Sequence, residues 1–111
     1  MPRDSRVYLE DILDSTRKIT AYTAGLSKSA FLEDEKTLDA VVRNLEVIGE
    51  AVKKLPPELR AKHPVPDWKK IAGLRDILIH EYFGLDAEIV WDIIQNKVPA
   101  LDQEVRKMLN P

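Results

Sequence analysis

An all-α fold follows from three features of this 111-residue sequence: only four glycines, few β-branched alternations, and long apolar patterns spaced by three and four residues. The spacing predicts four helices joined by short connections, an antiparallel four-helix bundle with a short extra helical turn before the third long helix. The length suits a single domain over residues 1–111 with one core, and 44% hydrophobic residues are enough to fill it.

The first helix is predicted to start after a cap at Asp4 or Ser5 and to run to about Ala24, with Tyr8, Ile12, Ile19 and Tyr22 on one stripe. Gly25 is a natural stop, and Leu26 to Phe31 reads as a connection. The second helix starts at Leu32 or Glu33 and runs to Leu55, with Leu38, Val41, Val42, Leu45, Ile48, Val52 and Leu55 on one face. Pro56-Pro57 ends it, because a residue before proline avoids the helical region. Pro57 to Lys62 forms a short helical turn, closed by His63-Pro64-Val65-Pro66. A third helix begins at Pro66 or Asp67, where proline and an acidic residue both suit a first turn. It carries Trp68, Ile71, Leu74, Leu78 and Tyr82 and stops near Gly84. Asp86 caps a fourth helix through about Met108, with Val90, Ile94, Val98, Leu101, Val105 and Met108 in register. Pro99 lies inside that pattern and should bend the helix by removing one backbone bond.

Composition narrows the chemistry. With no cysteine there is no disulfide framework, thiolate zinc site or thiol nucleophile. Met1 to Arg6 lacks the apolar core of a signal peptide, and no apolar run approaches the roughly 18 residues of a membrane span, so a soluble, cytoplasmic protein is expected. A net charge of −2 argues against a general nucleic-acid coat. The charge is uneven, however. From Leu59 to Arg75 stand Arg60, Lys62, Lys69, Lys70 and Arg75 against Asp67 alone. Such a strip suits phosphate binding, and it is equally what a solvated helix face looks like.

Within the third helix, Arg75-Asp76-Ile77-Leu78-Ile79-His80-Glu81-Tyr82 places an arginine, a histidine and a tyrosine in an otherwise apolar run. Arginine is a permanent cation whose donor fork matches phosphate. Histidine moves a proton near neutral pH. Together they form a minimal kit for cleaving RNA without metal. On a helical wheel Arg75 falls among Trp68, Ile71, Leu78, Ile79 and Tyr82. A guanidinium there needs an acidic partner, a shared cleft, or a stem that packs while the head reaches water. His80 lies about 140° further round, so the two heads meet across the edge of that face, or across a dimer axis. Tyr82, seven residues after Arg75, nearly shares its face and by itself suits an amphipathic core tyrosine. Asp76 can pair locally with Arg75 or Lys69. On the second helix Glu50 reads as solvated, and Asn44 as a buried hydrogen-bonding residue. His63 and His80 lack the spacing of a metal pair, and there is no Gly-rich phosphate loop, no GxSxG elbow and no helix-turn-helix pattern.

Arg75-x4-His80-x-Tyr82 on the third long helix resembles the HEPN superfamily, and most closely its HepT-like branch, the toxin component of HepT–MntA modules. The resemblance spans nearly the whole chain. Arg43-Asn44-Leu45-Glu46-Val47-Ile48-Gly49-Glu50-Ala51 is similar to the family's second-helix segment, Pro66 through Asp76 to its approach to the arginine, and Trp91 through Pro99 with Leu101 to its last helix. The resemblance implies a toxin of a type VII-like toxin–antitoxin module: a metal-independent endoribonuclease, needing no cofactor, whose homodimer forms a composite cleft. It implies that Arg75 binds the scissile phosphate, that His80 acts in general acid–base catalysis, and that Asp76 orients the arginine. Lys69 and Lys70 are candidate RNA-phosphate contacts. Tyr82 matches the tyrosine to which a cognate MntA-like nucleotidyltransferase antitoxin adds AMP, which would place bulk and negative charge at the cleft mouth. The overall acidity departs mildly from expectation for an RNA-binding surface. A rival reading of another class is a non-catalytic HEPN module that docks a nucleotidyltransferase; the intact Arg75/His80 pair favours the nuclease.

Overall fold

A computed structural model describes residues 3–74, 76 and 86–111, the first two of these without their side chains. Every regular element among the described residues is helical. In chain order they are α1 (Arg3–Thr23), α2 (Lys28–Leu32), α3 (Glu35–Lys53), α4 (Pro57–Ala61), α5 (Trp68–Ala72), α6 (Ala87–Asn96) and α7 (Val98–Leu109). The expected all-α bundle is present, with more short helices than the periodicity gave.

The centre is built from α1, α3 and α7. Arg6 reaches the Leu109 carbonyl at 3.3 Å, and the Thr16 hydroxyl lies 2.7 Å from Asp102 Oδ2, so α1 and α7 run antiparallel. The face expected for the second helix is the one buried: Val41, Val42, Leu45, Ile48, Val52 and Leu55 are all at most 4% exposed, with Leu38 partly covered. Asn44 is buried as well, its amide donating to the Ala40 carbonyl at 2.9 Å. The six residues placed in register at the C-terminal end, Val90 to Met108, are likewise buried.

Several expectations change. α1 begins at Arg3, upstream of the expected cap, and Ser5 is buried inside it. Its buried stripe is Ser5, Leu9, Ile12, Thr16, Ile19 and Thr23, which leaves Tyr22 44% exposed. The stripe was offset because two of its members are threonines. Their hydroxyls bond to local carbonyls, Thr23 to Ile19 at 2.8 Å and Thr16 to Leu13 at 2.9 Å, so they can be buried at little cost. The stretch Leu26 to Phe31 is more than a connection. Gly25 (φ +77) does stop α1, but Ser27 caps a new turn by accepting from Ala30 N, and this turn drives Phe31 into the core against Trp91, ring centroids 5.2 Å apart. α3 then starts two or three residues later than expected, capped by Asp34, which accepts from the Thr37 hydroxyl at 2.6 Å and the Thr37 amide at 3.0 Å. The hydroxyl bond, then the amide bond, holds the Asp34 carboxyl below its ordinary pKa.

Finally, Pro99 divides the last helix where a bend was expected. α6 ends at Asn96, and Pro99 stands in the first turn of α7, where its missing N–H leaves no bond unmade. The third helix is seen as α5, ending with the C-cap Gly73. The remainder of that expected helix, apart from Leu74 and Asp76, lies outside the described residues.

Candidate functional site

Arg75, His80 and Tyr82 lie outside the described residues; Asp76, Lys69 and Lys70 lie within them. The described residues show how the approach to the motif is anchored. Pro56 and Pro57 set the start of α4, and the His63–Pro66 strap follows. Asp67 caps α5, accepting from Lys70 N at 3.2 Å. The next residue, Trp68, is 7% exposed and donates its indole N–H to the His63 carbonyl at 2.8 Å. α5 packs on α3, and with Trp68 turned inward Lys69 and Lys70 face solvent.

His63 itself is tied to α7. Its Nδ1 lies 3.2 Å from Oε2 of Glu104, whose side chain is only 9% exposed. One residue thus joins the strap to α7 through its ring and to α5 through its carbonyl. Sequence reasoning weighed His63 only as a metal ligand and passed over Glu104. A usable signal was present: Glu104 lies three residues after Leu101 and four before Met108, on the buried stripe, where a carboxylate needs a partner.

Asp76 is helical and exposed, and its carboxylate lies 3.9 Å from Lys53 Nζ in the last turn of α3. Local pairing had pointed to Arg75 or Lys69; the described partner comes from a separate helix. Beside this end of α3 the surface between α1 and α3 opens into two adjoining cavities of about 300 and 360 Å³. Tyr8, Asp11, Arg43, Glu46 and Glu50 line the first; Asp14, Lys18, Tyr22 and Asn44 help line the second. The charged residues of the Arg43–Ala51 segment therefore turn toward this groove. Glu50, expected to be solvated, is half-buried and engaged with a neighbour. Among the described residues no three His, Cys, Asp or Glu side chains gather to hold one ion, and no helix is long and apolar enough to cross a membrane.

The fold is an all-α bundle, and the sequence carries an Arg-x4-His-x-Tyr spacing shortly after α5. The chain belongs to the HepT-like ribonuclease family, whose model, described as Ribonuclease HepT-like, matches residues 12–108. A provisionally named RNase of Methanocaldococcus jannaschii is 48% identical over 110 residues, 98% of this chain and 91% of the relative. One of Caldanaerobacter subterraneus subsp. tengcongensis, also provisionally named an RNase, is 46% identical over 104 residues, covering 94% of this chain and 93% of the relative. A Thermococcus cleftensis protein, provisionally named ribonuclease HepT, is 39% identical over 108 residues, 97% and 98% of the two chains. No solved structure matches the chain.

Proposed function

We propose that this chain is the toxin of a toxin–antitoxin module, a single-domain endoribonuclease that cleaves RNA without metal. The observation that carries the reading is the coincidence of a ribonuclease family match over residues 12–108 with an intact Arg75-x4-His80-x-Tyr82 motif. Arg75 holds the scissile phosphate and neutralises charge as it builds. His80 takes the proton from the ribose 2′-OH. The 2′ oxygen then bonds to phosphorus, the bond to the 5′ oxygen breaks, and that oxygen leaves with a proton taken from water, while the proton held by His80 is later released to water. The products are a 2′,3′-cyclic phosphate and a 5′-OH end. Lys69 and Lys70, exposed on α5, draw the RNA backbone toward the motif, and Asp76 positions the arginine. The test is incubation of purified protein with RNA in excess chelator, followed by analysis of the ends. Cyclic phosphate ends support the reading. A protein that never cleaves RNA but binds a nucleotidyltransferase tightly would be a docking module instead.

The same reading makes the active form a homodimer, in which two motif helices share one cleft. A guanidinium within an apolar stripe is easier to accommodate at a wet two-fold seam than in a monomer core. Light scattering at micromolar concentration is expected to give twice the chain mass; a monomer mass would refute the composite cleft.

Tyr82 is the proposed switch. AMP added to its hydroxyl by a cognate nucleotidyltransferase brings negative charge and bulk to the Arg75-x4-His80-x-Tyr82 motif, which excludes RNA. Co-expression with such an enzyme should give an AMP-sized mass increment that is absent from Tyr82→Phe, and the Phe variant should escape neutralisation. An increment that persists in Tyr82→Phe moves the modification elsewhere.

A further inference from the structure

A solvated helix face accounts for Lys62, Lys69 and Lys70, which are all exposed. It does not account for Arg60, in the last turn of α4. That residue is half-buried, and its Nε is enclosed by protein without a hydrogen-bond partner. Its two Nη atoms are not enclosed in this way, and they too make no hydrogen bond or ion pair among the described residues. An arginine offers five N–H donors, and here none meets an acceptor. An unmet buried donor on a charged group costs stability and needs a reason. The arm is ordered by its own packing, with its fork open to solvent and empty.

The surroundings say what the fork would take. The Arg60 carbonyl accepts the His63 amide at 3.1 Å, and the His63 carbonyl accepts the Trp68 indole at 2.8 Å, so the end of α4 is tied to the start of α5. Across residues 57–72, Arg60, Lys62, Lys69 and Lys70 stand against Glu58 and Asp67, in a chain of net charge −2. Asp67 is already engaged as the cap of α5, and neither carboxylate pairs with Arg60. A planar fork with no carboxylate of its own suits an oxyanion, and among exposed lysines the favoured oxyanion is one of a run of phosphates.

We propose that Arg60 is the fixed anchor of an RNA-backbone site at the junction of α4 and α5, with Lys62, Lys69 and Lys70 as solvated contacts around it. The choice of RNA as ligand rests on the nuclease reading. The site binds and takes no part in the chemical step.

The test is binding of a fully 2′-O-methylated oligoribonucleotide, which lacks the attacking hydroxyl, followed by fluorescence anisotropy over a range of salt. Arg60→Met keeps the stem and drops the charge. It should weaken binding about five- to tenfold and lower the slope of log affinity against log salt by about 0.7, the share of one phosphate on a single strand. Arg60→Lys keeps a charge without the fork and should recover part of the affinity. Arg17→Met removes an exposed arginine of α1 and should change affinity less than about twofold. With ordinary RNA, the Arg60→Met loss should fall on KM, with kcat within about twofold of wild type. Its melt should be no lower than wild type, since the unmet donor goes with the charge. Wild-type binding by both Arg60 variants would make the arm a packing residue and overturn the site, while cleavage stands. An equal loss from Arg17→Met would reduce the effect to net charge and overturn it too. A protein that binds the oligonucleotide through Arg60 but cleaves no RNA keeps the site and loses the nuclease reading; one that neither binds nor cleaves RNA loses both.

Discussion

Arg75→Ala and His80→Ala are each expected to lower RNA cleavage by at least about a hundredfold, the usual scale for losing one charge stabiliser or one general acid–base group. Growth inhibition should vanish with it. On the proposed mechanism the two losses should not add, because both groups would serve one transition state: the double variant should be little worse than either single one. The fold should survive. Circular dichroism melts should show no loss of stability from Arg75→Ala, because alanine keeps the helix propensity that the sequence pattern calls for there. The variants also differ in kind. Arg75→Lys keeps the charge but loses the fork, and should recover only part of the rate. Both alanine variants cleaving at the wild-type rate would remove the pair from the active site.

How much of this was legible in the sequence depended on which residues carry the signal. The buried faces of α3 and of α6 with α7 are written in aliphatic residues, and periodicity found them. The face of α1 is part threonine, so the pattern pointed one residue away, to Tyr22, and missed the hydroxyls that satisfy themselves on the preceding turn. α2 was missed because five residues are too few for a period; its signal is a cap, Ser27, and a single aromatic, Phe31. Pro99 was read as a defect in one helix when it begins another, a distinction set by where α6 stops. The proposed motif stands out in the sequence because Arg75, His80 and Tyr82 are chemically conspicuous at fixed spacing, and it lies outside the described residues. The ion pairs along its approach were not legible. Lys53 and Asp76 are 23 positions apart, and His63 and Glu104 are 41 apart. No local rule relates them; only the packing of α3 and α7 brings them together.

The second large effect is expected at His63. Glu104 is nearly buried, on a stripe it shares with Leu101, Val105 and Met108, and its described partner is the His63 ring at 3.2 Å. His63→Ala strips that partner from a carboxylate that cannot easily reach water. Leaving one member of such a pair behind costs about 3 kcal/mol, on the order of 10 °C in Tm for a domain of this size. Removing both groups is a different matter. Glu104→Leu places an apolar side chain among apolar neighbours, so the double variant His63→Ala/Glu104→Leu should regain most of the loss. Thermal melts of the four proteins decide it. A His63→Ala cost that is the same in the wild-type and Glu104→Leu backgrounds would show that the ring acts by packing alone. The consequence reaches the site, because His63 also accepts the Trp68 indole through its carbonyl, at the base of the helix that carries Lys69 and Lys70. A strap released from α7 frees the start of α5. His63→Ala should therefore weaken RNA binding as well as stability, and Glu104→Leu in the same chain should restore the stability without restoring the binding, since the strap stays untied.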